Sequence, residues 1–265
     1  MALRSTFSLW LIMMLFGCSI EHSLVFQPSR PIVATPENLG LAYEDVFLTT
    51  NDGTQINGWF IPSTGAKRTI LWFHGNAGNI SHRVDNIRKL HDRIPAHIFI
   101  IDYRGYGRSH GSVSEDGTYE DARAALAYLE SRPDVDPKGL IVFGRSLGAA
   151  VAVELAMRQH PRALILESPF TSIKAMAKTI LPFIPIGPFL GIRYDNLEKI
   201  QNIRVPLLIL HGDRDTVVPY DQGHELFTAA PEPKSFYTIT GAGHNDTYLV
   251  GGKEYFETLA NFIQQ

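Results

Sequence analysis

A five-residue stretch, Gly144-Arg145-Ser146-Leu147-Gly148, constrains this chain more than any other. It follows the apolar run Leu140-Ile141-Val142-Phe143 and precedes Ala149-Ala150-Val151-Ala152-Val153-Glu154-Leu155-Ala156. The first run reads as a buried strand and the second, rich in alanine, as a helix. A serine at such a junction occupies a tight, strained turn that lifts its hydroxyl above the sheet edge. Gly144 and Gly148 leave room for strand and helix to cross. The Leu147 N–H, at the helix start, then faces any oxyanion that forms at Ser146. The same pattern occurs by chance in ordinary strand-to-helix turns. It gains chemical meaning only when the chain also supplies a histidine, an acid and a second oxyanion donor.

Two later strand-like runs end in such partners. Leu207-Leu208-Ile209-Leu210 leads into His211-Gly212-Asp213-Arg214-Asp215-Thr216-Val217-Val218-Pro219. Ser235 to Thr240 leads into Gly241-Ala242-Gly243-His244-Asn245-Asp246. In a parallel sheet all of these loops lie beyond carboxyl ends of strands, on the edge where ligands bind. His244 fits a general base for Ser146, and Asp215 an acid that fixes its tautomer. Asp213 competes with Asp215, and Asp246 more weakly. Asp215 is favoured because the apolar Val217-Val218-Pro219 follows to anchor it. His74 and His211 read as structural, bonded to loop backbone. The loop His74-Gly75-Asn76-Ala77-Gly78-Asn79, after the strand Thr69–Phe73, offers the second oxyanion donor, the Asn76 N–H, with Ala77 as the next choice. No Gly-Lys-Ser/Thr follows it, which disfavours phosphate binding there. The absence of paired cysteines and of His-Glu-x-x-His disfavours a zinc hydrolase, so the site is expected to need no metal or cofactor.

The rest of the chain fits one α/β domain. Strand-like runs at Tyr43–Thr50 and Gln55–Ile61 flank the turn Asn51-Asp52-Gly53. Strand and helix patterns then alternate, which predicts a mainly parallel sheet with helices on both faces. Helices are expected at Glu120–Leu129, Gln222–Ala229 and Tyr255–Ile263. The alternation breaks from Pro169 to about Ile200, where Pro182, Pro185 and Pro188 stand among Phe, Ile and Leu; this reads as a short apolar lid insertion. It either packs on the sheet edge or walls an acyl-chain pocket, with Phe183 and Phe189 as test positions. A net charge of −3 and no basic run interleaved with aromatics argue against a nucleic-acid partner.

The amino terminus differs in kind. One arginine, Arg4, precedes a largely apolar run from Phe7 to Phe16, too short to span a bilayer but suited to a signal-peptide core. It ends at Leu15-Phe16-Gly17-Cys18, which resembles a bacterial lipobox apart from the bulky Phe16. On that reading residues 1–17 are a signal peptide and 18–41 a tether lipidated at Cys18. The domain is then 42–265, held at the cell envelope on the outer membrane, facing the periplasm. A conventional signal or uncleaved anchor is the alternative.

Taken together, HGNAGN at His74–Asn79, DYRGYGRS at Asp102–Ser109 and GRSLG at Gly144–Gly148 resemble the BEM46-like branch of the α/β-hydrolase superfamily. ESPF at Glu167–Phe170, YDN at Tyr194–Asn196, HGDRDTVVP at His211–Pro219 and GAGHND at Gly241–Asp246 extend the likeness, from about Tyr43 to Ile263. The resemblance implies the α/β-hydrolase fold, a triad of Ser146, Asp215 and His244, and oxyanion donors at Asn76 and Leu147. It implies a serine hydrolase acting on carboxylic esters or thioesters, with a small-molecule or lipid acyl ester as substrate. A peptidase or amidase with the same triad, and a non-catalytic envelope-binding lipoprotein, are the competing readings.

Overall fold

The computed structural model describes residues 21–23, 25–181, 183 and 190–265. Eight strands form one sheet: β1 (Glu44–Thr49), β2 (Gln55–Ile61), β3 (Thr69–Phe73), β4 (His97–Ile101), β5 (Leu140–Arg145), β6 (Ala163–Glu167), β7 (Leu207–Gly212) and β8 (Lys234–Ile239). Their order is β1-β2-β4-β3-β5-β6-β7-β8. β1 pairs with β2, and β2 with β4, antiparallel; every later pairing is parallel. The expected α/β-hydrolase architecture is therefore present.

The central strands are buried end to end because helices cover both faces. Alternate side chains part accordingly: Leu71, Phe73, Val142 and Leu166 join one core, and Ile70, Trp72, Phe143 and Ile165 the other. On the first face lie α2 (Glu115–Ser131) and α3 (Leu147–Gln159), with α1 (Val84–Arg93) on the second. Beyond them follow α4 (Ile173–Ile180), α5 (Asn196–Ile200), α6 (Tyr220–Ala229), α7 (Thr247–Val250) and α8 (Gly252–Gln264). α8 closes the second face with Tyr255, Leu259 and Ile263. Fully burying each such side chain contributes about 1.5–3 kcal/mol.

α2 begins earlier than its apolar stripe predicts. The Ser114 hydroxyl caps it by accepting the Gly117 N–H at 3.1 Å, and that polar first turn carries no hydrophobic period.

The larger departure is at the amino terminus. Residues 25–41, read from the sequence as part of the 18–41 tether with little regular structure, are seated on the domain. Phe26 is buried in the first core and Leu41 in the second. Pro28 forms a parallel bridge to Gly78, Ser29 accepts the Gly107 N–H at 2.9 Å, and the Asn79 amide donates to Ser29 and Pro31 carbonyls. Prolines suit this strap, since they stiffen an extended segment and leave the carbonyls of Ser29 and Pro31 free to accept. Cys18 and the signal segment lie outside the described residues, as do Pro182 and residues 184–189 of the insertion, Phe189 among them. No helix among the described residues is long and apolar enough to cross a membrane.

Candidate active site

Every catalytic and oxyanion-hole residue read from the sequence comes to one sheet edge, just past the carboxyl ends of β3, β5, β7 and β8. Ser146 joins β5 to α3 with φ of 53°, a left-handed backbone that a non-glycine residue adopts at a cost of about 1–3 kcal/mol. The neighbouring glycines make the turn possible. A Cβ on Gly144 would lie 2.3 Å from the Gly148 carbonyl oxygen, and one on Gly148 would lie 2.0 Å from that of Phe73.

His244 Nε2 lies 3.0 Å from Ser146 Oγ, and His244 Nδ1 lies 2.7 Å from Asp215 Oδ2. The Val217 and Val218 N–H groups both donate to Asp215 Oδ1 at 2.8 Å. The following valines thus anchor the acid, but through their backbone. Burial works against ionisation of Asp215, yet hydrogen bonds from His211 and His244, the His244 charge and the Val218 N–H outweigh it, holding the carboxyl well below the usual carboxylate range.

The competing acids have other work. Asp213 accepts the Gly241 N–H at 2.7 Å, and Asp246 that of Gly243 at 2.7 Å, so one shapes the histidine loop from the β7 side and the other from within. His211 and His74 bond loop backbone as expected: His211 Nε2 is 3.1 Å from the Val218 carbonyl, and His74 Nδ1 is 2.6 Å from that of Gly75. His211 Nε2 also comes within 3.3 Å of Asp215 Oδ2, a contact the sequence did not announce.

The 74–79 loop passes directly against the serine; a Cβ on Gly75 would be 3.5 Å from Ser146 Cβ. Asn76 and Leu147 line the same cavity as Ser146 and His244, as does Ala77. The Asn76 side chain is fixed from two sides: its Oδ1 accepts the Tyr106 hydroxyl at 2.8 Å and the Gln27 N–H at 2.9 Å. Neither residue was picked out from the sequence. Tyr106 sits in a glycine-rich run and Gln27 in the strap, where the absence of periodicity hides any partner.

Arg145, inside the elbow motif itself, is a third missed residue. Its guanidinium lies 3.0 Å from the fully buried Glu167 and donates to the carbonyl of His244 at 2.5 Å and to Asn245 Oδ1 at 3.3 Å. Thr247 and Tyr255 hydroxyls donate to Glu167 at 2.6 and 2.5 Å, which satisfies the carboxylate. The histidine loop is thereby locked to the floor of the sheet.

The cavity measures about 440 Å³, within the range of small-molecule sites. One wall is apolar and comes from the insertion: Phe170, Ile173, Met176, Ile180, Leu181 and Leu190. Phe183 does not join it; that ring is 95% exposed. Among the described residues no group of three or more His, Cys, Asp or Glu side chains is arranged to hold a metal ion.

A strained serine at a strand–helix elbow, with histidine and aspartate in file behind it on this fold, defines the class of α/β-hydrolases. Sequence comparisons place the chain within that class. It is 37% identical over 248 residues to the protein bem46 of Schizosaccharomyces pombe, covering 90% of this chain and 82% of that one. It is 36% identical to the alpha/beta hydrolase domain-containing protein WAV2 of Arabidopsis thaliana, covering 93% and 88%. The family described as Serine aminopeptidase, S33 matches residues 64–192. A Pyrococcus furiosus esterase superposes with a TM-score of 0.76 at 24% identity, over 90% of this chain and 98% of that one. The chain belongs to the BEM46-like branch of the α/β-hydrolase superfamily.

Proposed function

We propose that the protein is a serine hydrolase of carboxylic esters or thioesters that works through an acyl-serine intermediate. The unbroken file Asp215–His244–Ser146, opening on an apolar-walled cavity, carries this reading. Ser146 Oγ attacks the substrate carbonyl carbon while His244 Nε2 takes its proton. The carbonyl electron pair moves onto oxygen, opposite the N–H groups of Leu147 and Asn76. As it returns, the bond to the leaving oxygen or sulfur breaks, and His244 gives the proton to that atom. Water repeats the sequence on the acyl-serine, freeing the carboxylic acid and restoring Ser146. All groups in this scheme are side chains or backbone of the chain itself.

The description of the matched family as a serine aminopeptidase makes peptide cleavage the second reading. An aminopeptidase must receive the substrate's terminal ammonium, which calls for free carboxylates in the cavity. Among the described lining residues the carboxylate is Glu21, whose oxygens accept the Gly191 and Ile192 N–H groups. Arg83 and Arg145 line the cavity too and would repel an ammonium. This charge pattern favours esters.

The envelope location, through a lipid on Cys18, rests on the lipobox-like sequence and belongs to the same proposal. An exposed apolar rim at Ile180 and Phe183 suits work against a membrane. Loss of membrane partitioning in Cys18→Ser supports the anchor; unchanged partitioning refutes it. The hydrolase reading is tested with p-nitrophenyl esters of increasing chain length, run beside Ser146→Ala. Turnover by wild type and none by the variant supports it. A protein that turns over neither esters nor thioesters but cleaves peptides takes the second reading, and one that cleaves none of them is a binding module.

A further inference from the structure

The cavity has two unlike ends, and the proposed ester hydrolysis uses only one of them. The apolar wall belongs to the first face of the sheet, since Phe170 and Ile173 are part of that core. Arg83 enters the cavity from the other side, at the start of α1, which packs into the second core. Ser146 stands on the sheet edge between them.

Arg83 is unusual in two respects, its unpartnered buried nitrogen and its lack of a paired acid. It ends a short 3-10 turn (Ile80–Arg83) that runs straight into α1. Its Nε is buried without a hydrogen-bond partner, and its guanidinium donates to the Ala77 carbonyl, on the very loop that borders Ser146. No carboxylate among the described residues lies within ion-pairing distance of it. Its nearby acids form no pair with it, although Asp102 attracts it from a distance and keeps one oxygen without a hydrogen-bond partner. Asp102 accepts the Ile80 N–H and faces His74, while Asp85 receives Lys89 and the Tyr248 hydroxyl. Arg145 is the nearby like charge, and it is paired with Glu167. Burial and that neighbouring charge together pull the Arg83 guanidinium down to about 10, which still leaves it charged at neutral pH. A partly desolvated cation without a counter-ion is costly in a folded protein, and an anion from outside offsets the cost.

We propose that Arg83 is the centre of an anion subsite that receives a phosphate or carboxylate on the alcohol side of the ester, while the acyl chain lies along the insertion. The substrate is then an amphiphile: an apolar acyl chain joined through its ester to an anionic alcohol. Arginine suits the task, because its planar fork can grip two oxygens of either oxyacid at once. Arg83 here is a binding residue, and the inference deepens the ester-hydrolase reading on which it rests.

Two measurements separate the failure of the subsite from the failure of the reaction. The first uses esters that share one acyl chain and differ in the alcohol: glycerol, glycerol phosphate and glycerate. Wild-type kcat/KM should favour the anionic esters by about tenfold or more, as a charge-assisted contact provides. The ratio should collapse toward one in Arg83→Gln and be partly kept in Arg83→Lys. Whether phosphate or carboxylate is preferred identifies the oxyacid. The second needs no turnover: calorimetric binding of decyl phosphate and of decanol to Ser146→Ala. Decyl phosphate should bind about tenfold or more tightly than decanol, and Arg83→Gln in that background should abolish the difference. Equal binding of the two ligands overturns the subsite, whatever the esters do. A phosphate preference that survives Arg83→Gln also overturns it, since the anion then sits elsewhere, such as against the oxyanion-hole N–H groups. A preference that depends on Arg83 in a protein that hydrolyses none of the esters keeps the subsite and removes the hydrolase.

Discussion

The Tyr106 hydroxyl donates to the Asn76 side-chain oxygen at 2.8 Å, tying the loop after β4 to the loop that faces the nucleophile. The same oxygen receives the Gln27 N–H, so the amino-terminal strap shares in holding the residue proposed to stabilise the oxyanion. Removing the hydroxyl leaves one of the two restraints in place.

Tyr106→Phe should therefore lower kcat moderately, by about fivefold, the equivalent of roughly 1 kcal/mol for one hydrogen bond. KM should barely change, because the loop is proposed to act on the transition state. Steady-state kinetics on a short-chain ester reads the split. A rise in KM with kcat intact would show that Tyr106 serves substrate binding instead.

The two aspartates of the β7 loop should differ sharply. Asp215→Asn is expected to cost on the order of 10⁴ in kcat, as loss of the acid does in other triads. Asp213→Asn removes a charge but keeps an oxygen that can accept the Gly241 N–H, and should cost far less. A larger loss from Asp213→Asn would contradict the assignment of the acid.

Asp215 should also leave a mark on stability. Its folded-state pKa is depressed, so its ionised form stabilises the fold above its ordinary value of 3.8, and that contribution is lost as pH falls toward the lower folded value. Thermal melts should show Asp215→Asn less stable than wild type near neutral pH, with the gap closing below about pH 4. A gap that persists unchanged at about pH 2 would mean that the carboxylate gives no ionisation-linked stability.

The apolar wall predicts a chain-length trend. Each buried methylene adds about 0.8 kcal/mol, or roughly fourfold in kcat/KM, until the cavity is full. Met176→Glu should flatten the trend, since Met176 lines the cavity. Phe183→Glu should leave it alone, because that ring faces solvent and not the cavity. Equal profiles for wild type and Met176→Glu would show that the insertion does not read the acyl chain.

These residues also show what the sequence discloses. Strands buried on both faces appear as unbroken runs, such as Leu207–Leu210, and Ser146 and Asp215 each follow one of them closely, whereas His244 follows the half-buried edge strand β8. Their meeting was legible because a parallel sheet gathers its carboxyl ends on one edge. The strap was not, because its attachments at Ser29, Pro31 and Gly78 are mostly backbone bonds to distant loops that leave no side-chain pattern. Phe183 failed as a test position for a related reason: apolar character in a proline-rich insertion says nothing about which side a ring faces. Arg83 left no trace of its own, because its surroundings emerge only with the cavity assembled.

The central claim is that Ser146 is the nucleophile, and covalent labelling tests it most directly. Wild-type protein treated with a fluorophosphonate should gain a single adduct, located by peptide mapping on Ser146. Ser146→Ala, with an unchanged melting profile, should gain none. An adduct on Ser146→Ala, or a wild-type adduct mapped to another residue, would contradict the account.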